Sequence, residues 1–301
     1  MSLLAVGSIA FDSIRTPYGE EKNILGGSAT YFSVAASWFT QVAIVAVVGE
    51  DFEEHHQQIF HARGIDTSGL ERASGRTFRW QGEYGRDMNE ARTLDTQLNV
   101  FEGFQPKIPE HLVSAEFLFL GNIHPALQLH VRRQLSGAKF AAADSMNFWI
   151  ANTPGELGQT LKEVDTLIIN EGEAKMLSGR QNLWQAARAI QAMGPRRVVV
   201  KRGEHGVTLF NGEEVFSIPA LLLEGFRDPT GAGDTFAGGF MGHLARSQDL
   251  SDANLRRAVV YGAVMASFAV EDFGLRRLLT VTRQDIEERV HQFTRLTHFD
   301  V

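Results

Sequence analysis

Short continuous apolar runs alternate with segments in which apolar residues return every three to four positions. Residues 3–9 form an apolar run broken by one glycine, which predicts a buried first strand. Val42–Val48 is β-branched and uninterrupted, as expected of a central parallel strand buried on both faces. Further strands are predicted at Phe117–Leu120, 140–143, 166–169, Arg197–Lys201 and 207–210. Helical spacing predicts helices over 28–39, 53–63, 127–135, 155–161, 184–193, 234–245, 252–270 and 283–298. This alternation implies a mostly parallel sheet covered on both faces by helices. Two stretches break the rhythm. Residues 13–23 are polar and turn-rich, and 76–104 mix aromatics with charges and glycines in the manner of exposed strands.

The chain has 301 residues, of which 44% are hydrophobic and 22% charged, so a sizeable core is available and long disorder is excluded. That length suits two domains or one large α/β domain with an insertion. With no cysteine there is no disulfide, thiolate metal site or Cys nucleophile. The net charge of −7 argues against a nucleic-acid partner. No apolar run approaches the ~20 residues of a membrane span, and the N-terminal residues read as a strand, not a signal peptide. A cytoplasmic protein is expected. The ten histidines show no metal-binding spacing, and neither a GxSxG elbow nor a P-loop is present.

The most informative stretch is DPTGAGDTFAGGF, residues 228–240. Its small residues, Thr230 to Gly233, form a turn, and Phe236, Phe240 and Leu244 then recur every four positions, so a helix begins near Asp234. Such a turn exposes backbone N–H groups at the positive end of a helix dipole, a good anion site. Asp234 in the first helical turn has two readings. It stabilises the helix start, or it is a general base beside a bound phosphoryl group. Spacing alone leaves both open.

This stretch resembles the C-terminal signature of the ribokinase-like (PfkB) carbohydrate and nucleoside kinases, Asp-Thr-x-Gly-Ala-Gly-Asp, departing from it at Pro229. Other motifs resemble the family in the right order: Gly7-Ser8-Ile9-Ala10-Phe11-Asp12, Gly26-Gly27, Gly49-Glu50-Asp51-Phe52, Asn170-Glu171-Gly172-Glu173 and Lys201-Arg202-Gly203-Glu204-His205-Gly206. The resemblance covers nearly the whole chain. It implies a three-layer α/β/α sandwich with a mostly parallel central sheet and a small β-sheet lid. The main domain would comprise residues 1–12, 25–74 and 105–301, and the lid 13–24 and 75–104.

By the same resemblance the protein is an ATP-dependent kinase. Asp234 would deprotonate a hydroxymethyl group of a sugar or nucleoside, and the backbone of Gly231, Ala232 and Gly233 would stabilise the transferred phosphoryl group. Asp12, Gly26, Gly27 and Tyr31 would meet the substrate. Lys201, Gly203, Gly206 and Ala263 would meet the nucleotide. Asn170 and Glu173 would hold Mg²⁺ through water, although capping a helix is the plainer use of that pair. Asp228 and Thr230 mark the family's monovalent-cation site, so K⁺ joins ATP and Mg²⁺ as an expected cofactor. The lid suggests a homodimer through its exposed face. Tyr31 stands where many relatives carry an Asn that binds sugar hydroxyls, which suits a larger or flatter acceptor such as a nucleoside. Ala263 replaces an adenine-side Asn. A catalytically silent metabolite sensor of the same fold is the alternative from a different class.

Overall fold

A computed structural model describes residues 3–298; the remaining ends of the expected main domain, 1–2 and 299–301, lie outside the described residues. The strands, in chain order, are β1 (Leu3–Val6), β2 (Ala10–Thr16), β3 (Gly19–Gly26), β4 (Val42–Val48), β5 (Asp66–Arg72), β6 (Phe78–Tyr84), β7 (Ala91–Gln97), β8 (Phe117–Leu120), β9 (Phe140–Asp144), β10 (Thr166–Asn170), β11 (Arg197–Lys201), β12 (Val207–Asn211) and β13 (Glu214–Ile218). Nine of them form one sheet in the order β13-β12-β11-β10-β9-β8-β1-β4-β5. It is parallel from β11 to β5, while β12 pairs antiparallel with both β11 and β13. The other four form a small sheet, β3-β2-β6-β7.

The helices are α1 (Ser28–Ala36), α2 (Glu54–His61), α3 (Pro125–Gln134), α4 (Asn147–Asn152), α5 (Pro154–Leu161), α6 (Glu171–Ser178), α7 (Leu183–Gln191), α8 (Ala232–Ser247), α9 (Asp252–Ala269), α10 (Arg276–Thr280) and α11 (Arg283–Thr297). The two faces of the large sheet bury separate cores. Val42, Ile44, Ala46 and Val48 of β4 point into one core with residues of α1, α8 and α9. Ala43, Val45 and Val47 point into the other, with residues of α3, α5 and α7. The uninterrupted apolar sequence of β4 follows from this two-sided burial. The fold is a three-layer α/β/α sandwich.

One expectation needs correction. The run 3–9 is not a single strand: β1 ends at Val6, and the chain leaves the large sheet at Gly7 to enter the small one at Ala10. A Cβ at Gly7 would come within 2.5 Å of the Ser28 hydroxyl oxygen, so a glycine lets the chain turn away beside α1. Asp12 and Gly26 therefore belong to the small sheet, whose strands begin earlier and end later than 13–24.

Candidate active site

The carboxyl ends of the parallel strands gather the polar residues, as open α/β sheets do. Asp144 ends β9, Asn170 ends β10 and Lys201 ends β11. Opposite them lies the turn 228–231, which opens α8. The small sheet contributes Asp12 and Tyr84.

Gly27 caps α1 with φ 95°, where an L side chain is strained, and a Cβ there would strike the backbone of Ser8 and Ala10. Its N–H lies near the Asp12 carboxylate and favours the charged form. A Cβ at Gly26 would overlap that carboxylate, so a glycine there leaves room for Asp12. Reciprocal bonds lock the start of α1 to the end of β1: Ser8 N–H to Ser28 Oγ at 3.0 Å and Ser28 N–H to Ser8 Oγ at 3.1 Å. Asp12 is buried, and burial, then the charges of Asp228 and Asp234, push its carboxyl up to about 8.

Gly231 takes φ 73° as the N-cap of α8. The Ala232 N–H turns back to the Pro229 carbonyl at 3.1 Å, which among the described residues leaves the Gly231 and Gly233 N–H groups for an anion. Asp234 follows in the first turn of α8. Its Oδ1 is shut off from solvent and has no hydrogen-bond partner. Burial, then Asp144, push its carboxyl up to about 7, against the pull of Lys201. A carboxylate titrating near neutrality, with an unused oxygen beside free N–H groups, is equipped to take a proton.

Tyr31 is buried, not open to a ligand. A Cβ at Gly231 would lie 2.4 Å from its ring, so the ring packs on the anion turn. The Tyr31 hydroxyl is buried without a partner. Burial, then the charges of Asp12 and Asp228, raise its pKa well above the ordinary value. The flat face expected to receive a substrate is thus covered, and its polar tip is what remains to be satisfied.

Lys201, at the end of β11, reaches toward the start of α8. Its Nζ stands 3.8 Å from Asp144 Oδ1, and a Cβ at Gly233 would be 2.6 Å from it. Burial disfavours its charge, but Asp144, then Glu173 and Asp234, outweigh that and raise its pKa. Gly203 and Gly206 shape the next turn with φ 54° and 90°, closed by the Arg202 N–H to Gly206 carbonyl bond at 2.8 Å. Ala263 lies on α9, half-buried against the core.

Asn170 and Glu173 form the capping box of α6: Glu173 N–H to Asn170 Oδ1 at 2.8 Å, and Asn170 N–H to Glu173 Oε2 at 2.7 Å. The capping use is therefore real, and it still leaves Glu173 Oε1 outside the box. Among the described residues no cluster of three or more His and acidic side chains could cage a metal. One unused carboxylate oxygen suits Mg²⁺, which keeps much of its hydration and needs few protein carboxylates. Asp228 is fully buried. Its oxygens accept N–H groups of Thr230 at 2.9 Å and Gly274 at 3.4 Å.

Sequence reasoning missed three contributors. Asp144 carries no motif and only ends a strand of alanines. Tyr84, on β6, accepts a bond from the Thr230 hydroxyl at 3.2 Å. Asn89, in the β6–β7 loop, touches Gly203, where an added Cβ would collide with its side-chain oxygen. The phenylalanines of 76–104 pack on one another: Phe78 stacks on Phe101 at 5.4 Å, and Phe101 on Phe104 at 5.7 Å.

Fold and site together define a small-molecule kinase of the ribokinase-like class. The chain matches the model described as pfkB family carbohydrate kinase over residues 2–281 and belongs to that family. It is 28% identical over 257 residues to a cytidine kinase of Thermococcus kodakarensis, covering 84% of this chain and 91% of the relative. A ribokinase structure from Thermotoga maritima superposes with TM-score 0.77 at 22% identity, covering 97% of this chain and 99% of that one. An E. coli structure described as ribokinase II in complex with ATP and Mg²⁺ gives TM-score 0.79 at 19% identity, covering 97% and 99%. No helix among the described residues is long and apolar enough to cross a membrane.

Proposed function

We propose that this protein transfers the γ-phosphate of ATP to a hydroxymethyl group of a sugar or nucleoside, with Asp234 as general base. The observation that carries this reading is the partnerless, buried Asp234 Oδ1 beside the free N–H groups of Gly231 and Gly233. Asp234 takes the hydroxyl proton, the alcohol oxygen attacks the γ-phosphorus in line, and the bond to the ADP oxygen breaks. The Gly231–Gly233 turn stabilises the charge on the phosphoryl oxygens. Asp12 accepts substrate hydroxyls. Lys201 and the Gly203–Gly206 turn meet the ATP phosphates, with Ala263 on the adenine side. Glu173, oriented by Asn170, would hold Mg²⁺ through water, and Mg²⁺ when bound neutralises phosphate charge. Asp228 and Thr230 would hold K⁺, since a buried carboxylate whose bonded partners are neutral suits a monovalent cation.

The small sheet is read as a lid that excludes water during transfer. Its Tyr84–Thr230 bond and its Asn89 contact with Gly203 tie it to the anion turn and to the nucleotide side. On its other face, Phe11, Ser13, Arg79 and Gln81 line a polar cavity of about 470 Å³. Charges there are paired within the chain, Arg79 with Asp51 at 2.8 Å and Arg92 with Glu83 at 2.5 Å. Obligate dimer faces are more apolar, so a homodimer through this face would be of the weaker, polar kind.

A nucleoside is the acceptor we favour, on the likeness to the cytidine kinase along most of the chain. The test is ATP consumption with Mg²⁺ and K⁺ against a panel of nucleosides and free sugars. Turnover is expected with a nucleoside and its 5′-phosphate as product. Turnover with free pentoses alone would overturn the nucleoside assignment, and ligand binding without turnover on any acceptor would favour a sensor.

A further inference from the structure

Asp144 has no role in the reading above, yet it is buried where a charge needs a reason. It ends β9, and Lys201 ends β11, with β10 between them; Ile168 of β10 pairs with Asp144, and Asn170 with Lys201. The two side chains therefore reach across the end of β10 to come within 3.8 Å, with side-chain exposures of 10% and 19%. Asp144 is itself held rigidly. Its Oδ1 accepts the Ser145 N–H at 2.9 Å, and its backbone carbonyl accepts the buried Gln128 side chain at 2.8 Å.

The Lys201 ammonium also touches the anion turn, since a Cβ at Gly233 would lie only 2.6 Å from Nζ. Gly233 sits in the first turn of α8, the positive end of that helix's dipole, which repels a cation. Without a counter-charge the long side chain would swing away from this position. Of the carboxylates whose charges act on Lys201, namely Asp144, Glu173 and Asp234, Asp144 acts most strongly and is the one in ion-pair range among the described residues.

We propose that Asp144 is a positioning residue, whose carboxylate holds the Lys201 ammonium against Gly233 so that the cation meets the γ-phosphoryl group at the anion turn. The proposal rests on the kinase reading. It makes Lys201 a reader of the third phosphate in particular, because its charge lies against the anion turn and not along the Gly203–Gly206 turn.

The test compares Asp144→Asn, Lys201→Met and the double variant. Asp144→Asn keeps an oxygen for the Ser145 N–H and removes only the charge. Affinities for β,γ-imido-ATP and for ADP, both with Mg²⁺, are measured by calorimetry. Lys201→Met is expected to weaken the triphosphate analogue about tenfold or more while ADP binding changes less than about threefold, as loss of one charge-assisted contact implies. Asp144→Asn is expected to reproduce most of that loss, Asp144→Glu to restore part of it, and the double variant to be no worse than Lys201→Met. Unchanged ADP affinity shows that the variants are folded. Wild-type affinity for the analogue in Asp144→Asn, or losses that add in the double variant, would overturn the positioning role alone. A wild-type protein that binds neither nucleotide would overturn the kinase reading with it.

Discussion

Asp234 and Asp12 show how much a residue's role depends on what surrounds it. From sequence, Asp234 is as good a helix-start acid as a base. In the fold its Oδ1 accepts nothing, so one oxygen is left over for the proposed proton transfer whatever the acid does for the helix start. Asp12 carries a measurable cost. Its carboxyl is pushed from 3.8 to about 8 in the folded protein. A raised acid binds its proton more tightly when folded, so its contribution to stability is full below about pH 4 and is lost as pH rises through about 8. Asp12→Asn keeps an acceptor near the Gly27 N–H and removes the titration. It should be more stable than wild type at pH 8.5, by about 3–5 kcal/mol, with a higher melting temperature, and the gap should narrow steadily below pH 8 and close only near pH 4. Equal pH dependence of the two melting curves would contradict the burial argument. Asp12 was legible because a motif carried it. Asp144 was not, because an acid after a run of alanines has no pattern, and only the fold sets it beside Lys201. The Tyr31 residue was legible and its orientation was not: the packing of its ring on Gly231 depends on two segments 200 residues apart in sequence.

At the scale of elements, the turn at 228–231 is backed by a closely packed helix. α8 is buried along 235–245, and three glycines let its neighbours close in. A Cβ at Gly238 would strike the Phe32 carbonyl of α1. One at Gly239 would come within 2.7 Å of the Tyr261 carbonyl of α9, and one at Gly242 within 3.0 Å of Phe39. Gly239→Val would force α8 and α9 apart at a point where backbone, not a flexible side chain, is the obstacle. A loss of about 3 kcal/mol or more is expected, read as a lower urea midpoint, with substrate turnover falling as the turn shifts. A midpoint within experimental error of wild type would contradict the close packing. Most elements were legible because the two-sided cores impose continuous apolar strands and helical stripes. β5, with the sequence DTSGLER, and β13 were not, since edge strands are half exposed and carry polar residues without strict alternation. The split of residues 3–9 was hidden for the opposite reason: both sides of the Gly7 break are buried, so hydrophobicity does not register the change of sheet.

Over the whole molecule, the site exists only where two sheets meet. The large sheet supplies Lys201, Asp144 and Asn170 at its carboxyl edge, the small sheet supplies Asp12 and Tyr84, and α8 closes the space with Gly231 to Asp234. On the proposed reading the acceptor-side carboxylate and the phosphate-side groups come from different sheets, and the Tyr84–Thr230 bond ties the small sheet to the turn that opens α8. The most direct test of this account is phosphotransfer from ATP by wild type and Asp234→Asn on the acceptor that wild type accepts, followed from pH 5.5 to 8.5 beside ATP binding. Wild-type turnover should climb as pH rises through about 7, because the base must be ionised. Asp234→Asn should lose about 10²–10⁴-fold in kcat, lack that limb, and bind ATP as wild type does. Turnover in Asp234→Asn within about tenfold of wild type, with the pH limb intact, would contradict the assignment of Asp234 as the base.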